Sequence, residues 1–369
     1  MDDSTNSLPN SPGEPSNRIS HDGFDLLSKD IVDPVLAAKM HLVNNAIDEI
    51  GFTPYHARLF CLNGFGYAVD SLITLLQSII SGQAILEFQP SYSTGLTIAA
   101  YVGMLTGALF WGLSADIIGR RFAFNVSLFI SSIFTIIAGA SPNWVVLGLF
   151  VCLSAFGAGG NLVLDTAVFL EYLPSRHQWL ITLMAAWWGL GQLIAGLFAW
   201  AFIPNYSCAD AASCTRENNQ GWRYVWYTSG AFVFVLSILR VTVIRLQETP
   251  KYLVTEGNDD RVVCVLRGIA EKHHRPCTLT LNQLQDLGTT VRPNCGPKNK
   301  RLALSELNFH LHGLYSTRRI GISTTLIWFS WLLIGLAYPL YNVFLPIYLK
   351  SRGASFGQTS LISPGETMP

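Results

Sequence analysis

Long apolar runs alternate with short polar segments along most of the chain. Seven of these runs have about the length, roughly 20 residues, at which a helix crosses the hydrocarbon core of a bilayer. The pattern therefore predicts an all-α membrane protein. The predicted spans are Leu59–Ile80, Thr94–Leu113, Phe122–Ala140, Trp144–Phe169, Trp179–Phe202, Tyr224–Ile244 and Ile320–Leu349.

The segments outside the spans differ in character. Residues 1–34 are rich in Ser, Pro, Asn and Asp, which predicts a disordered tail, and residues 350–369 form a second polar tail. Residues 35–58 contain apolar positions at helical spacing and predict a helix lying in the membrane interface. Residues 245–319 form a long polar loop, in which we expect a helix over Asp259–Lys272.

Charge is scarce and unevenly placed. Charged residues make up 13% of the chain, whereas soluble globular proteins have about 25%. The net formal charge is zero, which argues against a nucleic-acid partner. Lys and Arg are concentrated after spans two, four and six, so the positive-inside rule predicts a cytoplasmic N-terminus.

In that orientation the loop after span five is external. It contains a glycosylation sequon at Asn205 and a pair of cysteines, Cys208 and Cys214. Both features suit an oxidising, glycosylating compartment. The two cysteines are compatible with a disulfide bond and also with two free thiols. The sequon indicates the secretory pathway, and hence the plasma membrane or a vacuolar or other internal membrane.

Span one carries a polar stripe on one helical face. An acid at the bilayer centre costs at least about 2.5 kcal/mol, so we expect this face to line a wet cavity. Hydrogen bonding to neighbouring helices is the alternative explanation. Asp70 is the candidate proton or cation site. The stripe consists of Asn63, Tyr67, Asp70, Thr74, Gln77 and Ser81.

Other polar positions in the spans are weaker candidates for a solute pathway. Asp165 in span four is either functional or solvated near the end of its helix. Gln192, beside two tryptophans, and the pair Tyr341 and Asn342, beside prolines, could line a cavity or simply pack. There is no catalytic motif or metal-ligand spacing, and the ionisable residues in the spans look like scattered acids. We therefore expect neither an enzyme nor a metal or other cofactor.

The loop between spans two and three carries the most specific motif. It reads Gly112-x-x-x-Asp116-x-x-Gly119-Arg120-Arg121, and in this position it resembles the signature loop of the major facilitator superfamily. Two more elements resemble those of its sugar-porter and synaptic-vesicle-protein-like branch, and the sequence leading into Asp70 looks most like fungal members. These elements are Glu171-Tyr-Leu-Pro174-Ser-Arg176 and Glu248-Thr-Pro250-Lys251-Tyr252-Leu253.

The resemblance implies two six-helix halves that rock around a central solute site. Residues 59–244 would form the first half, followed by a seventh helix. It further implies that Asp116, Arg120 and Arg121 form cytoplasmic charge pairs that hold one state of the transport cycle. From the residues themselves, Glu171 is expected to pair with Arg176 or Arg121. The complete predicted gate is Gly112, Asp116, Gly119, Arg120, Arg121, Glu171, Arg176 and Glu248.

Departures from the family pattern limit what the resemblance implies. Ile117 stands where a basic residue is usual, and span seven lacks the Gln-Gln-x-Ser-Gly pattern of hexose porters. Seven spans also fall short of the twelve that two six-helix halves contain, so we expect a C-terminally truncated member. Two functions remain open. One is secondary transport of a small organic solute, with or without protons. The other is a transport-incompetent or regulatory membrane protein. The oligomeric state stays open.

Overall fold

The computed structural model describes residues 34–244, 247–288, 314–315 and 317–351, without the side chains of residues 116–117, 243–244 and 338–351. The predicted tails over residues 1–33 and 352–369 lie outside these ranges. The described residues divide into two compact units, one drawn from residues 35–300 and 337–369 and the other from residues 1–34 and 301–336.

Regular secondary structure in the described ranges is helical throughout. The α-helices, in chain order, are α1 (Pro34–Ile50), α2 (Pro54–Phe88), α3 (Gly95–Ile118), α4 (Arg120–Gly139), α5 (Trp144–Tyr172), α6 (Trp179–Leu183), α7 (Ala185–Tyr206), α8 (Gly221–Leu239), α9 (Pro250–Thr255), α10 (Asp259–Lys272), α11 (Leu281–Asp286) and α12 (Arg318–Ser351).

All seven predicted spans coincide with helices long and apolar enough to cross a membrane. Two of them differ from a simple span. The fifth is interrupted at Met184 and divides into α6 and α7. The sixth changes from α8 to a π-helical turn at Arg240–Ile244. Turns of this kind are rare and occur frequently at functional sites.

Helix α2 begins earlier than the first predicted span. Pro54 occupies its first turn, where the missing N–H of proline costs no intrahelical hydrogen bond. The backbone N–H of Thr53 donates to His56 Nδ1 over 3.2 Å, which satisfies a donor that the helix itself leaves free. Helix α2 therefore begins among the polar residues Thr53 and His56, whereas the apolar run that predicted the span begins only at Leu59.

Six helical spans pack into one bundle. α5 lies against α2, α3 and α4, while α7 lies against α2 and α8. Glycines allow α3 and α5 to approach closely, because a Cβ at Gly107 would overlap the carbonyl oxygen of Phe156, and one at Gly159 would overlap that of Met104. This agrees with the packing role expected for small residues spaced four apart in a membrane helix.

Helix α1 covers the end of the bundle at which α2 begins and α5 ends, here called the α1 end. Its Lys39 Nζ lies 2.5 Å from Asp259 Oδ2 on α10. Its buried apolar residues join a cluster with those of α10 and α11, so the face expected to enter the membrane interface contacts protein. These residues are Val43, Ala46, Ile47 and Ile50, with Val262, Leu266 and Leu284 among those they join.

The opposite end, here called the disulfide end, contains the loop between α7 and α8. Cys208 and Cys214 are joined there by a disulfide bond, with their Cα atoms 5.4 Å apart. Glu87 at the end of α2 forms a buried ion pair with Arg223 of α8, at 2.6 Å between Oε1 and Nη2. Trp222 Nε1 and Asn219 Nδ2 also donate to Glu87 Oε2, so this carboxylate joins the two helices.

Helix α12 corresponds to the seventh predicted span. It is a continuous helix from Arg318 to Ser351, including Pro339 and Pro346. The candidate residues Tyr341 and Asn342 lie on it, but their side chains are outside the described part of the structure, so their assignment to a solute pathway stays a prediction.

The close approach of α3 to α5 gives a direct test of the bundle. Gly107→Ala should destabilise the protein by about 1–3 kcal/mol, because the added methyl group meets a backbone carbonyl that only a helix shift can displace. Gly196→Ala on α7 is the matched control, since a Cβ there meets open space. Heating each purified variant in detergent and measuring the remaining monodisperse protein compares them. Equal midpoints for the two variants would contradict this packing.

Candidate functional site

The centre of the bundle contains a buried ion pair between α5 and the end of α8. Arg240 Nη2 donates to Asp165 Oδ1 over 2.7 Å, and the two side chains are 1% and 0% exposed. Two charges so far from water are tolerated only when they are paired with good geometry. Asp165 is therefore fully buried rather than solvated at the end of its helix, and its assignment to a solute pathway stays a prediction.

Additional contacts fix the guanidinium of Arg240. Its Nη1 donates to the carbonyl oxygen of Phe124 over 2.9 Å, and its Cζ lies 3.7 Å from the centroid of the Phe124 ring. Such a cation–π contact is stronger when the cation is desolvated. Asn161 Oδ1 lies 3.5 Å from the same Nη1 and accepts a hydrogen bond from Ser127. The arginine is thus held by α4 and α5 together.

Gly66 on α2 makes room for this ion pair. A Cβ at this position would overlap Oδ2 of Asp165 and lie 2.6 Å from Nη2 of Arg240. Asn63, three residues earlier on α2, donates from Nδ2 to the backbone carbonyl of Asp165 over 3.1 Å. The ion pair therefore lies directly against α2, on the helix that also carries Asp70.

Asp70 is the acid next to this pair. It is 1% exposed, and neither carboxylate oxygen has a hydrogen-bond partner of ordinary geometry among the described residues, although Asn161 lies close by. The charges of Asp165 and Arg240 both act on it. One arginine therefore lies near two buried acids, and its short contact is to Asp165. A buried carboxylate without such a partner is costly in its charged form.

The rest of the predicted stripe mainly joins helices. Tyr67 Oη lies 2.5 Å from Thr166 Oγ1 on α5, and Gln77 Nε2 donates to Thr97 Oγ1 over 3.2 Å. Thr74 Oγ1 donates to the carbonyl oxygen of Asp70 in its own helix over 2.8 Å. Tyr67 and Gln77 thus connect α2 to α5 and α3, while Thr74 bonds within α2. The wet cavity expected along this face stays a prediction.

The aromatic residues of α7 also contact α2. The ring of Trp187 lies where a Cβ of Gly64 would be, and its centroid is 4.9 Å from that of Phe65. Trp188 accepts a hydrogen bond from Ser71 through its carbonyl oxygen. Gln192, one turn further, is half-buried. Trp187 therefore packs between helices, and the assignment of Gln192 to a solute pathway stays a prediction.

Five of the eight predicted gate residues lie together at the α1 end, namely Gly119, Arg120, Arg121, Glu171 and Glu248. Glu171 pairs with Arg120, and not with Arg176 or Arg121 as the sequence suggested. Arg176 is exposed in the turn after α5. Glu171 lies in the last turn of α5, next to Arg120 at the start of α4. Arg176 comes only after the end of α5.

Glu248 also contacts this region, at the turn between α3 and α4. Its Oε2 accepts a hydrogen bond from the backbone N–H of Arg121 over 3.4 Å. Gly119, with φ of +107°, adopts a conformation that side chains rarely allow, and Glu248 Oε1 lies 2.7 Å from where its Cβ would be. Gly112 and Asp116 lie on α3, and the side chain of Asp116 is outside the described part of the structure.

Two arginines outside the predicted site residues also form buried ion pairs. Arg240 and Arg223 both lie in or beside the sixth predicted span, and each forms a buried ion pair with an acid more than 70 residues away in the chain. The available signal was an arginine inside an apolar run, because a buried charge in a membrane helix normally requires a partner. The acids of the spans are therefore not scattered.

Comparison with known proteins identifies the family of the chain. The family model of the Major Facilitator Superfamily matches residues 59–366. The MFS siderochrome iron transporter 1 of Ceriporiopsis subvermispora is 40% identical over 342 residues, which are 91% of this chain and 66% of that protein. The chain thus spans about two thirds of the length of this relative.

Two more distant proteins are also similar. The synaptic vesicle 2-related protein of Rattus norvegicus is 25% identical over 241 residues, covering 64% of this chain and 41% of that protein. The xylose transporter XylE from E. coli, in a partially occluded inward-open conformation, superposes with a TM-score of 0.49 at 17% identity, covering 64% of this chain and 57% of that one. The family match over residues 59–366 shows that the chain is a multi-pass membrane protein of the major facilitator superfamily.

Proposed function

We propose that this chain serves the transport of a small organic solute by alternating access, and that a proton bound at Asp70 drives it. The observation that carries the proposal is the unpartnered, buried carboxylate of Asp70 beside the Asp165–Arg240 ion pair. With a proton on Asp70 the three side chains sum to zero charge. Without it they carry one uncompensated negative charge in a region of low dielectric.

Loss of the proton would change which acid Arg240 contacts. A charged Asp70 competes with Asp165 for the same guanidinium, and these residues lie on α2, α5 and the end of α8. Binding and release of a proton would thereby shift the preferred positions of these helices. A proton can drive a conformational change only if it binds the two states with different affinity, and a shared counter-ion provides that difference.

The other features fit one orientation in the membrane. We propose that the α1 end is cytoplasmic, as the positive-inside rule predicts, and that the Arg120–Glu171 pair and the Glu248 contact hold it closed. The disulfide end would then be external or luminal, with Asn205 glycosylated. The plasma membrane and the vacuolar membrane both suit this assignment.

The first solute to test is a ferric siderophore, because the 40% identical relative is named as a siderochrome iron transporter. The sequence departs from hexose porters at span seven, which makes a hexose a poorer choice. Uptake of labelled ferric siderophore and of other small organic solutes should be measured in liposomes, with and without an imposed pH gradient. A failure of every solute would favour the transport-incompetent or regulatory alternative.

Asp70→Asn tests proton coupling. The amide has nearly the same size as the carboxyl group but cannot lose a proton, so we expect uptake driven by the pH gradient to disappear. Exchange of solute across the membrane without a gradient should persist. Gradient-driven accumulation at the wild-type level in Asp70→Asn would sink the coupling role. Asn205→Gln, at the disulfide end, is the control for reconstitution.

Substitutions at the ion pair should have unequal costs. Arg240→Gln leaves two buried acids without a counter-ion and should destabilise the protein by about 3–5 kcal/mol. Asp165→Asn should cost less, since Asp70 remains close enough to balance Arg240. Thermal unfolding of both variants in detergent measures the order. The reverse order would show that Asp70 does not share the charge of Arg240.

Gly66→Ala should displace the ion pair without changing any charge. The added methyl group occupies the position of Asp165 Oδ2, so we expect at least a tenfold loss of gradient-driven uptake, about 1.4 kcal/mol. Gly82→Ala, on the same helix, meets open space and should leave uptake unchanged. Equal uptake by the two variants would mean that the position of the pair does not matter.

A further inference from the structure

Five basic or titratable side chains gather at the α1 end where the bundle meets the loop helices. Arg58 is exposed one turn into α2, and His177 lies in the short turn before α6. Lys272, His273 and His274 follow from the end of α10. We call these five residues the basic patch. They come from three separate parts of the chain, so only the fold brings them together.

Packing fixes these parts beside one another. Ile269 on α10, one turn before His273, and His56 at the start of α2 line the same small cavity. The His177 ring centroid lies 5.2 Å from that of Phe52, which directly precedes α2. His56, between them, lies within electrostatic range of both His177 and His273. The end of α10 is therefore held against the first turn of α2.

The local potential of the patch is positive. The pKa of His273 is lowered by partial burial, and the charges of Lys272, Arg58 and His274 lower it further. Among the described residues, no ion pair joins Arg58 or Lys272 to an acid. Two acids of the same layer have other partners: Asp48 accepts hydrogen bonds from Ser175, and Asp259 pairs with Lys39.

The patch adjoins the ends of two apolar runs. Arg58 directly precedes Leu59, with which the first apolar run begins, and His177 comes two residues before Trp179, with which the fifth begins. Trp179 is 60% exposed, and an exposed tryptophan at the end of a span is typical of the headgroup region. In a bilayer we therefore expect lipid headgroups close to these side chains.

We propose that the basic patch binds the headgroup of an anionic phospholipid from the leaflet at the α1 end. The phosphate and carboxylate groups of such a lipid would meet Arg58 on the bundle and Lys272 on the loop helix at the same time. A bound lipid then ties α10, and with it α1, to the membrane surface. Clustered basic residues beside a span are a known physical basis for this recognition.

The experiment uses the whole chain, residues 1–369, purified in neutral detergent. Binding of short-chain phosphatidylserine is titrated by thermophoresis, with phosphatidylcholine of the same chain length and inorganic phosphate as separate arms. The variants are Arg58→Gln, Lys272→Gln and the double variant. Arg216→Gln, an exposed arginine at the disulfide end, is the matched control, and thermal unfolding of each variant verifies its fold.

We expect phosphatidylserine to bind and phosphatidylcholine not to. Each single variant should weaken binding about fivefold and the double variant about 25-fold, whereas Arg216→Gln should bind as the wild type does. Unchanged affinity in the double variant, or equal binding of the two lipids, would overturn the proposal. Inorganic phosphate that binds as tightly as phosphatidylserine would also overturn it, by identifying a free anion as the ligand.

Discussion

The Asp165–Arg240 ion pair is the interaction on which the centre of the bundle depends. Two charges at 1% exposure or less must be paired and hydrogen-bonded to be tolerated there. That requirement accounts for several neighbours at once. Gly66 leaves space for the carboxylate, Phe124 provides a ring and a carbonyl oxygen, and the π-helical turn at the end of α8 begins at Arg240 itself.

The same pair determines the electrostatic surroundings of Asp70. Arg240 makes its short contact to Asp165, and the nearby Asp70 has no hydrogen-bond partner of ordinary geometry among the described residues. An imbalance of two acids and one base is a property of the three residues together and of none of them alone. The proposed proton coupling rests on this imbalance of charge. The close packing of α3 against α5 depends instead on glycines, which do not contact the three charged residues.

Charged residues are arranged differently at the two ends of the bundle. At the disulfide end, one carboxylate accepts from Arg223, Trp222 and Asn219, and this joins α2 to the start of α8. At the α1 end, charges belong to several elements: Arg120 pairs with Glu171, Glu248 meets the turn before α4, and Lys39 pairs with Asp259. The family resemblance pointed to the charge pairs near the turn, and the layer formed by α1 and α10 lies directly beside them.

The sequence by itself determined the seven spans and the family and singled out Asp70, because hydropathy, motif spacing and a polar stripe are local properties of a helix. Only the tertiary structure decided that Asn63, Tyr67 and Gln77 of the stripe bond to other helices, that α1 packs on α10, and that Glu171 contacts Arg120. It also revealed Arg240 as the partner of Asp165. That pairing joins residues 75 positions apart in the chain. Hydrophobic periodicity describes one helix at a time and does not show which distant residues come into contact.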